Sequence, residues 1–116
     1  MRVYTISSGC KHEGGSIDAV FVSKELAIVD FNKRVKERYE QEIEHFQSMK
    51  QYRTEQLENP DVTKSDYLLE LANQTEEEYW ARWGTPKLEE TIEGGLLLMY
   101  YTIVHDYIAL KEWEAE

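Results

Sequence analysis

Residues 3 to 31, VYTISSGCKHEGGSIDAVFVSKELAIVDF, restrict the fold of this chain more than any other stretch, because they read as strand, glycine-bearing loop, strand and helix start. Val3 to Ser7 and Ile17 to Val22 are short runs of β-branched, aromatic and small residues. The intervening SGCKHEGGS carries three glycines. Glycine enters positive φ without steric cost, so this segment reverses the chain and makes a hairpin with a long loop. Ser23 then offers the side-chain oxygen of a helix N-cap, and Glu25 places a carboxylate where it favours the helix dipole. The hairpin therefore feeds directly into a helix.

That helix is expected from Lys24 to about Glu58. Leu26, Val29 or Phe31, Val35, Tyr39, Ile43, Phe46 and Met49 recur at three- and four-residue spacing, the stripe of an amphipathic helix. Lys33 with Glu37, Lys36 with Glu40 and Arg38 with Glu42 stand four apart, each pair adding about 0.2–0.5 kcal/mol. Asn59-Pro60 ends the segment, since proline disfavours the α region in its predecessor and has no N–H to donate. A second helix is expected to follow. Thr63 is its predicted cap, Asp66 sits three residues on, and Tyr67, Leu68, Leu71, Ala72, Thr75, Tyr79 and Trp83 continue at helical spacing up to Gly84 and Pro86. The two form an antiparallel helical hairpin. At 1.5 Å per residue the first helix reaches roughly 50 Å, so its distal half needs cover from the second helix or from another chain.

The last third returns to strand. After the turn at Glu93-Gly94-Gly95, LLLMYYTIV reads as a central strand covered on both faces. His105-Asp106 marks the next turn. YIALKEWEA then alternates, with Ile108 and Leu110 on one face and Tyr107, Ala109, Lys111 and Trp113 on the other. Leu88 to Ile92 fits a short strand or a helix. The expected whole is a single α+β domain over 1–116: an N-terminal β-hairpin, a long two-helix hairpin inserted at about 33–84, and C-terminal antiparallel strands completing one sheet.

Composition bounds the function. A chain of 116 residues, 41% of them hydrophobic, has enough apolar material for one modest core. One cysteine rules out a disulfide within the chain and fits a reducing compartment. The opening MRVYTIS lacks the apolar core of a signal peptide, and no run approaches the roughly 18 apolar residues of a membrane span, so a cytoplasmic protein without membrane attachment is expected. The net charge of −10 is concentrated late: residues 61 to 116 hold four basic and thirteen acidic side chains. Such a surface repels phosphate backbones, which disfavours nucleic acid as a partner, and it attracts basic protein surfaces or serves solubility alone.

Ser8, Gly9, Glu13, Gly14, Gly15, Ile17, Val20, Phe21, Ser23, Lys24, Glu25 and Ala27 follow the pattern SG-x-x-x-EGG-x-I-x-x-VF-x-SKE-x-A. In this the chain resembles a family of short bacterial and phage domains of unknown function, over about a quarter of its length, with a weaker echo in YIALKEWEAE. Members tend to lack the helical middle present here. The resemblance implies a phage or bacterial origin and a fold; it carries no catalytic residues.

Four groups of residues are candidates for chemistry or binding. Cys10, His12 and Glu13 are each credible metal ligands, yet a structural zinc site normally needs four and His45 and His105 stand apart in sequence, so no metal or other cofactor is expected. A Cys10–His12 nucleophilic pair has no third orienting group, and no enzyme activity is expected. Ser8, Gly9, Lys11, His12, Gly14, Gly15 and Ser16 form a loop able to cradle an anion through bare N–H groups, which makes a nucleotide-like small molecule one candidate ligand. Glu76, Glu77, Glu78, Trp80 and Trp83 combine acid with large rings, as an interface does. The leading expectation is a small acidic, non-enzymatic, phage-encoded interaction protein that binds and modulates or inhibits a host protein, in an anti-defence role. The alternative is a module that binds or sequesters a nucleotide-like molecule, and a homodimer through the helical hairpin suits either.

Overall fold

The computed structural model describes residues 1–115 and shows an α+β protein with one antiparallel sheet. Its elements are β1 (Arg2–Cys10), β2 (Gly14–Phe21), α1 (Lys24–Glu58), α2 (Asp66–Ala72), α3 (Glu76–Trp83), β3 (Lys87–Glu93), β4 (Leu96–Ile103) and β5 (Asp106–Glu114). They fall into two compact units, Met1–Tyr39 with Thr85 onward, and Glu40–Gly84. The second unit therefore begins later than the insertion boundary expected near position 33.

In the first unit the described residues form a five-stranded sheet of order β2-β1-β5-β4-β3, so the last strand in sequence is the central one. Chain reversal makes this possible: β1 pairs with β5 along its whole length, from Arg2 opposite Glu114 to Cys10 opposite Asp106. Tyr4 and Ile6 of β1, Ile108 and Leu110 of β5, and Leu97, Met99, Tyr101 and Ile103 of β4 are buried, as are Ala27 and Phe31 of α1. Burying a large apolar side chain contributes about 1.5–3 kcal/mol, and this set is the main core. β5 buries Ile108 and Leu110 as expected, but Ala109 between them is buried too, so the alternation expected of a half-buried strand fails at its middle. β4 alternates instead, with Leu96, Leu98, Tyr100 and Thr102 only half-buried, and so it is not the doubly covered central strand that its apolar run suggests. β3 is an edge strand exposed at every position, and its lysine and three glutamates suit an edge that must not recruit another strand.

Ser23 caps α1 as expected: its Oγ accepts from the Leu26 N–H at 3.3 Å. The stripe that α1 buries keeps part of the one read in sequence: Phe31 and Phe46 are buried and Val35, Ile43 and Met49 half-buried, whereas Ala27 is enclosed and Leu26, Val29 and Tyr39 are exposed. Hydrophobicity marks a helix, but which side turns inward depends on what the helix meets.

The second unit corrects the single helix expected after Pro60. It is two short helices, broken at Asn73-Gln74. Ser65, not Thr63, caps α2, its hydroxyl accepting from the Leu68 N–H at 3.1 Å. Thr75, read above as part of an apolar stripe, starts α3 with a complete capping box: its Oγ1 accepts from the Glu78 N–H at 3.2 Å and its own N–H donates to Glu78 Oε1 at 3.3 Å. The distal part of α1 belongs to the same unit as these helices, so its surplus length does not by itself call for a second copy of the chain.

Candidate functional site

The glycine loop is shorter than its sequence suggests. Gly9 pairs with Gly15 and Cys10 with Gly14, leaving only Lys11, His12 and Glu13 between the strands. Glycine is required here by close approach. A Cβ on Gly9 would lie 2.3 Å from the Gly14 carbonyl oxygen, and one on Gly15 would lie 2.1 Å from the Ser8 carbonyl oxygen and 2.4 Å from the Tyr107 hydroxyl. Ser8 donates to the Asp18 carboxylate, and Asp18 is the extra residue of a bulge, since Ile6 faces Ala19 and Ser7 faces Ile17. Ser16 faces Ser8 across the ladder. The geometry thus accounts for these glycines by strand pairing and by Tyr107, which stacks on Tyr100 with ring centroids 5.6 Å apart.

The pairing of β1 with β5 also joins residues that sequence keeps far apart. The Lys11 N–H donates to the His105 carbonyl at 2.8 Å and its Nζ to the Val104 carbonyl at 3.3 Å. The rings of His12 and His105 come within 5.9 Å. Val104 takes φ of 53°, a conformation that a β-branched side chain rarely adopts, and the Lys11 bonds hold the strained turn. Among the described residues no three His, Cys, Asp or Glu side chains converge as a metal site would require.

At the opposite end of this sheet lies a buried carboxylate that the sequence does not reveal. Glu112, 3% exposed, accepts from the Leu97 N–H at 2.9 Å and from Arg2 at 3.4 Å. The Leu97 N–H, the Tyr4 hydroxyl and Arg2 hold its carboxyl below the usual carboxylate range, against the opposing effect of burial. Conversely, the bond to Glu112 pushes the Tyr4 hydroxyl up, and Glu112 also raises Arg2. Arg2 further reaches Glu114 at 3.2 Å and the Gly95 carbonyl at 3.4 Å. The group ties strand ends together.

The helical unit contains a cleft of about 150 Å³. From α1 come His45, Phe46, Met49 and Arg53, three of them at four-residue steps along one face; Tyr67 and Leu71 come from α2, Gln74 from the break, and Tyr79, Arg82 and Trp83 from α3. Phe46 and Tyr79 pack with ring centroids 4.9 Å apart, and the Tyr79 hydroxyl donates to the buried Glu42 carboxylate. Tyr79 is thereby fixed as a wall. Trp83, 40% exposed, lies beneath the Arg82 guanidinium at 5.6 Å. A space of about this volume accommodates one benzene-sized group, well short of the roughly 300–1,000 Å³ of drug-sized pockets.

The partner-facing residues expected from sequence divide on this geometry. Trp83 lines the cleft. Glu78 completes the α3 cap, and Glu76 accepts from the Trp80 indole N–H at 3.3 Å, so both already hold local structure. Glu77 is exposed. Arg53 and Arg82, unremarked in sequence, line the cleft beside Trp83; their signal was the spacing of Arg53 to Met49 and His45, which places all three on one helical face. No helix among the described residues is long and apolar enough to cross a membrane.

Comparison with protein-family models, with curated proteins and with solved structures finds no match.

Proposed function

We propose that the chain is a small non-enzymatic interaction protein that holds a partner protein by receiving one of its apolar side chains in the cleft of the helical unit. The observation that carries this reading is the cleft itself: a space for one side chain, walled by Phe46, Tyr67, Tyr79 and Trp83. Of these Tyr67 and Trp83 are exposed, and large aromatic residues of this kind are the usual anchoring points of interfaces. The lining contains no Ser, Thr or Cys, which supports binding over covalent catalysis. The resemblance to phage domains makes a host protein the natural partner, with modulation or inhibition of that partner, in an anti-defence role, as the outcome.

The test is affinity purification from native cells with three forms of the protein: unaltered, Trp83→Ala, and Glu76→Lys combined with Glu77→Lys. Specific recovery of one protein by the unaltered form, and its loss with Trp83→Ala while the circular dichroism is unchanged, is the expected result. Recovery unaffected by Trp83→Ala but abolished by the double lysine change would place the contact on the acidic face instead.

A further inference from the structure

The cleft stands out from the rest of the molecule in its charge. The protein has five arginines. Arg2 pairs with Glu112 and Glu114, Arg34 with Asp30 at 2.6 Å and Asp18 at 3.9 Å, and Arg38 with Asp106 at 2.9 Å. The two that pair with no carboxylate among the described residues are Arg53 and Arg82, and both line the cleft. Scarcity of acid does not explain this. Residues 40–84 hold four basic and eleven acidic side chains, yet two of the four cations line the cleft and none of the eleven carboxylates does. Glu42 is bonded to the Tyr79 hydroxyl and is not part of the lining.

We infer that the cleft selects a short acidic peptide segment of its partner, one apolar anchor residue flanked by a carboxylate on either side. This inference rests on the reading that the cleft receives a partner side chain. The aromatic walls and the volume fit the anchor. A guanidinium presents a planar fork of donors that matches a carboxylate in two parallel bonds, and Arg53 and Arg82 hold that fork unmet by acid beside the anchor site. Charge also limits the segment's length. Screening at physiological salt confines the two cations to about 8 Å, and beyond them a longer acidic run meets a surface of its own sign, so one or two flanking carboxylates are optimal and further ones weaken binding. The sign of the partner is thus the reverse of what the net charge of −10 suggests.

The experiment is an NMR titration of the full chain, following the Trp83 indole N–H, with seven-residue peptides carrying a central phenylalanine between two glutamates, two glutamines or two lysines, or a central alanine between two glutamates. The glutamate–phenylalanine peptide is expected to bind at least tenfold more tightly than the glutamine one, and the alanine and lysine peptides to leave Trp83 unshifted. Arg53→Gln and Arg82→Gln should each cost about tenfold, Arg53→Lys less, and Lys50→Gln nothing. Equal binding of the glutamate and glutamine peptides, or tighter binding of the lysine peptide, overturns the inference while leaving the cleft as a docking site. If a phosphorylated peptide without carboxylates binds best, the acidic-peptide inference also falls. If no peptide moves Trp83 and Trp83→Ala still recovers the cellular partner, the proposed function itself falls.

Discussion

In the sheet unit Arg2, Arg34 and Arg38 each face a carboxylate, whereas in the helical unit Arg53 and Arg82 line the cleft and pair with no carboxylate among the described residues. Exposure of apolar residues does not separate the units in the same way: Ile6, Phe31, Ile103 and Leu110 form an enclosed core, but Ile17, Val20, Val22, Leu26, Val29, Leu88 and Ile92 of the sheet unit are exposed, as Tyr52, Tyr67, Leu69 and Trp83 of the helical unit are. A guanidinium that faces a carboxylate uses its donors within the fold, whereas one that faces none among the described residues keeps them available for another molecule, and the region to search for binding is the one where charge pairing is incomplete.

The largest expected effect separates the units by stability. Leu110→Ala, at the centre of the sheet, should destabilise the protein by about 2–5 kcal/mol in urea unfolding, because a buried Leu loses both transfer energy and packing. Trp83→Ala should stay within about 1 kcal/mol and act on binding. Equal losses at the two positions would erase the distinction drawn here.

Next comes Gly15→Ala, expected to cost about 1–3 kcal/mol through overpacking against the Ser8 backbone and Tyr107. Thermal melting should show it less stable than Gly14→Ala, whose Cβ meets open space but whose φ of 77° adds about 1 kcal/mol of strain. The same contacts mean that a bulky change at Gly15 cannot test ligand binding by the loop, since it disturbs β1 and β2 first. A milder loss, about 1 kcal/mol, is expected from Thr75→Ala, which removes the α3 cap while leaving the sheet intact. Hydrogen exchange should localise that change to residues 74–83, and a uniform loss of protection across β1 and β5 would show the units to be more tightly coupled than this.

The smallest effect is one of pH. Glu112 has a depressed folded-state pKa, so its contribution is fully present above the unfolded carboxyl value of about 4.3 and disappears as pH falls through the folded value. Acid titration followed by near-ultraviolet circular dichroism should therefore show stability falling below about pH 4. In Glu112→Gln the protein should be less stable at neutral pH and its acid dependence flatter. An unchanged acid slope in that variant would remove Glu112 as the cause.

Much of the fold was legible in the residues, and for a local reason. Ser23 capping α1, Asn59-Pro60 ending it, Gly94-Gly95 turning β3 into β4, and the alternation of Ile108 and Leu110 with Tyr107 and Lys111 each depend on neighbours a few positions away. The Thr75–Glu78 capping box was equally readable from TEEE, and the apolar spacing around it obscured the break. The residues that close or open a site depend instead on partners distant in sequence. Glu112 is buried because β5 lies between β1 and β4, and His12 meets His105 because the register sets Cys10 opposite Asp106.

Periodicity and capping residues determined the hairpin, the long helix α1 and the strands β4 and β5 and the order in which they come, since hydrogen-bonding grammar acts over one or two turns. Only the tertiary structure decided which charges are paired. A side chain's partner is chosen by register and helix contact, and that choice left Arg53 and Arg82 beside Trp83 with no acid of their own among the described residues.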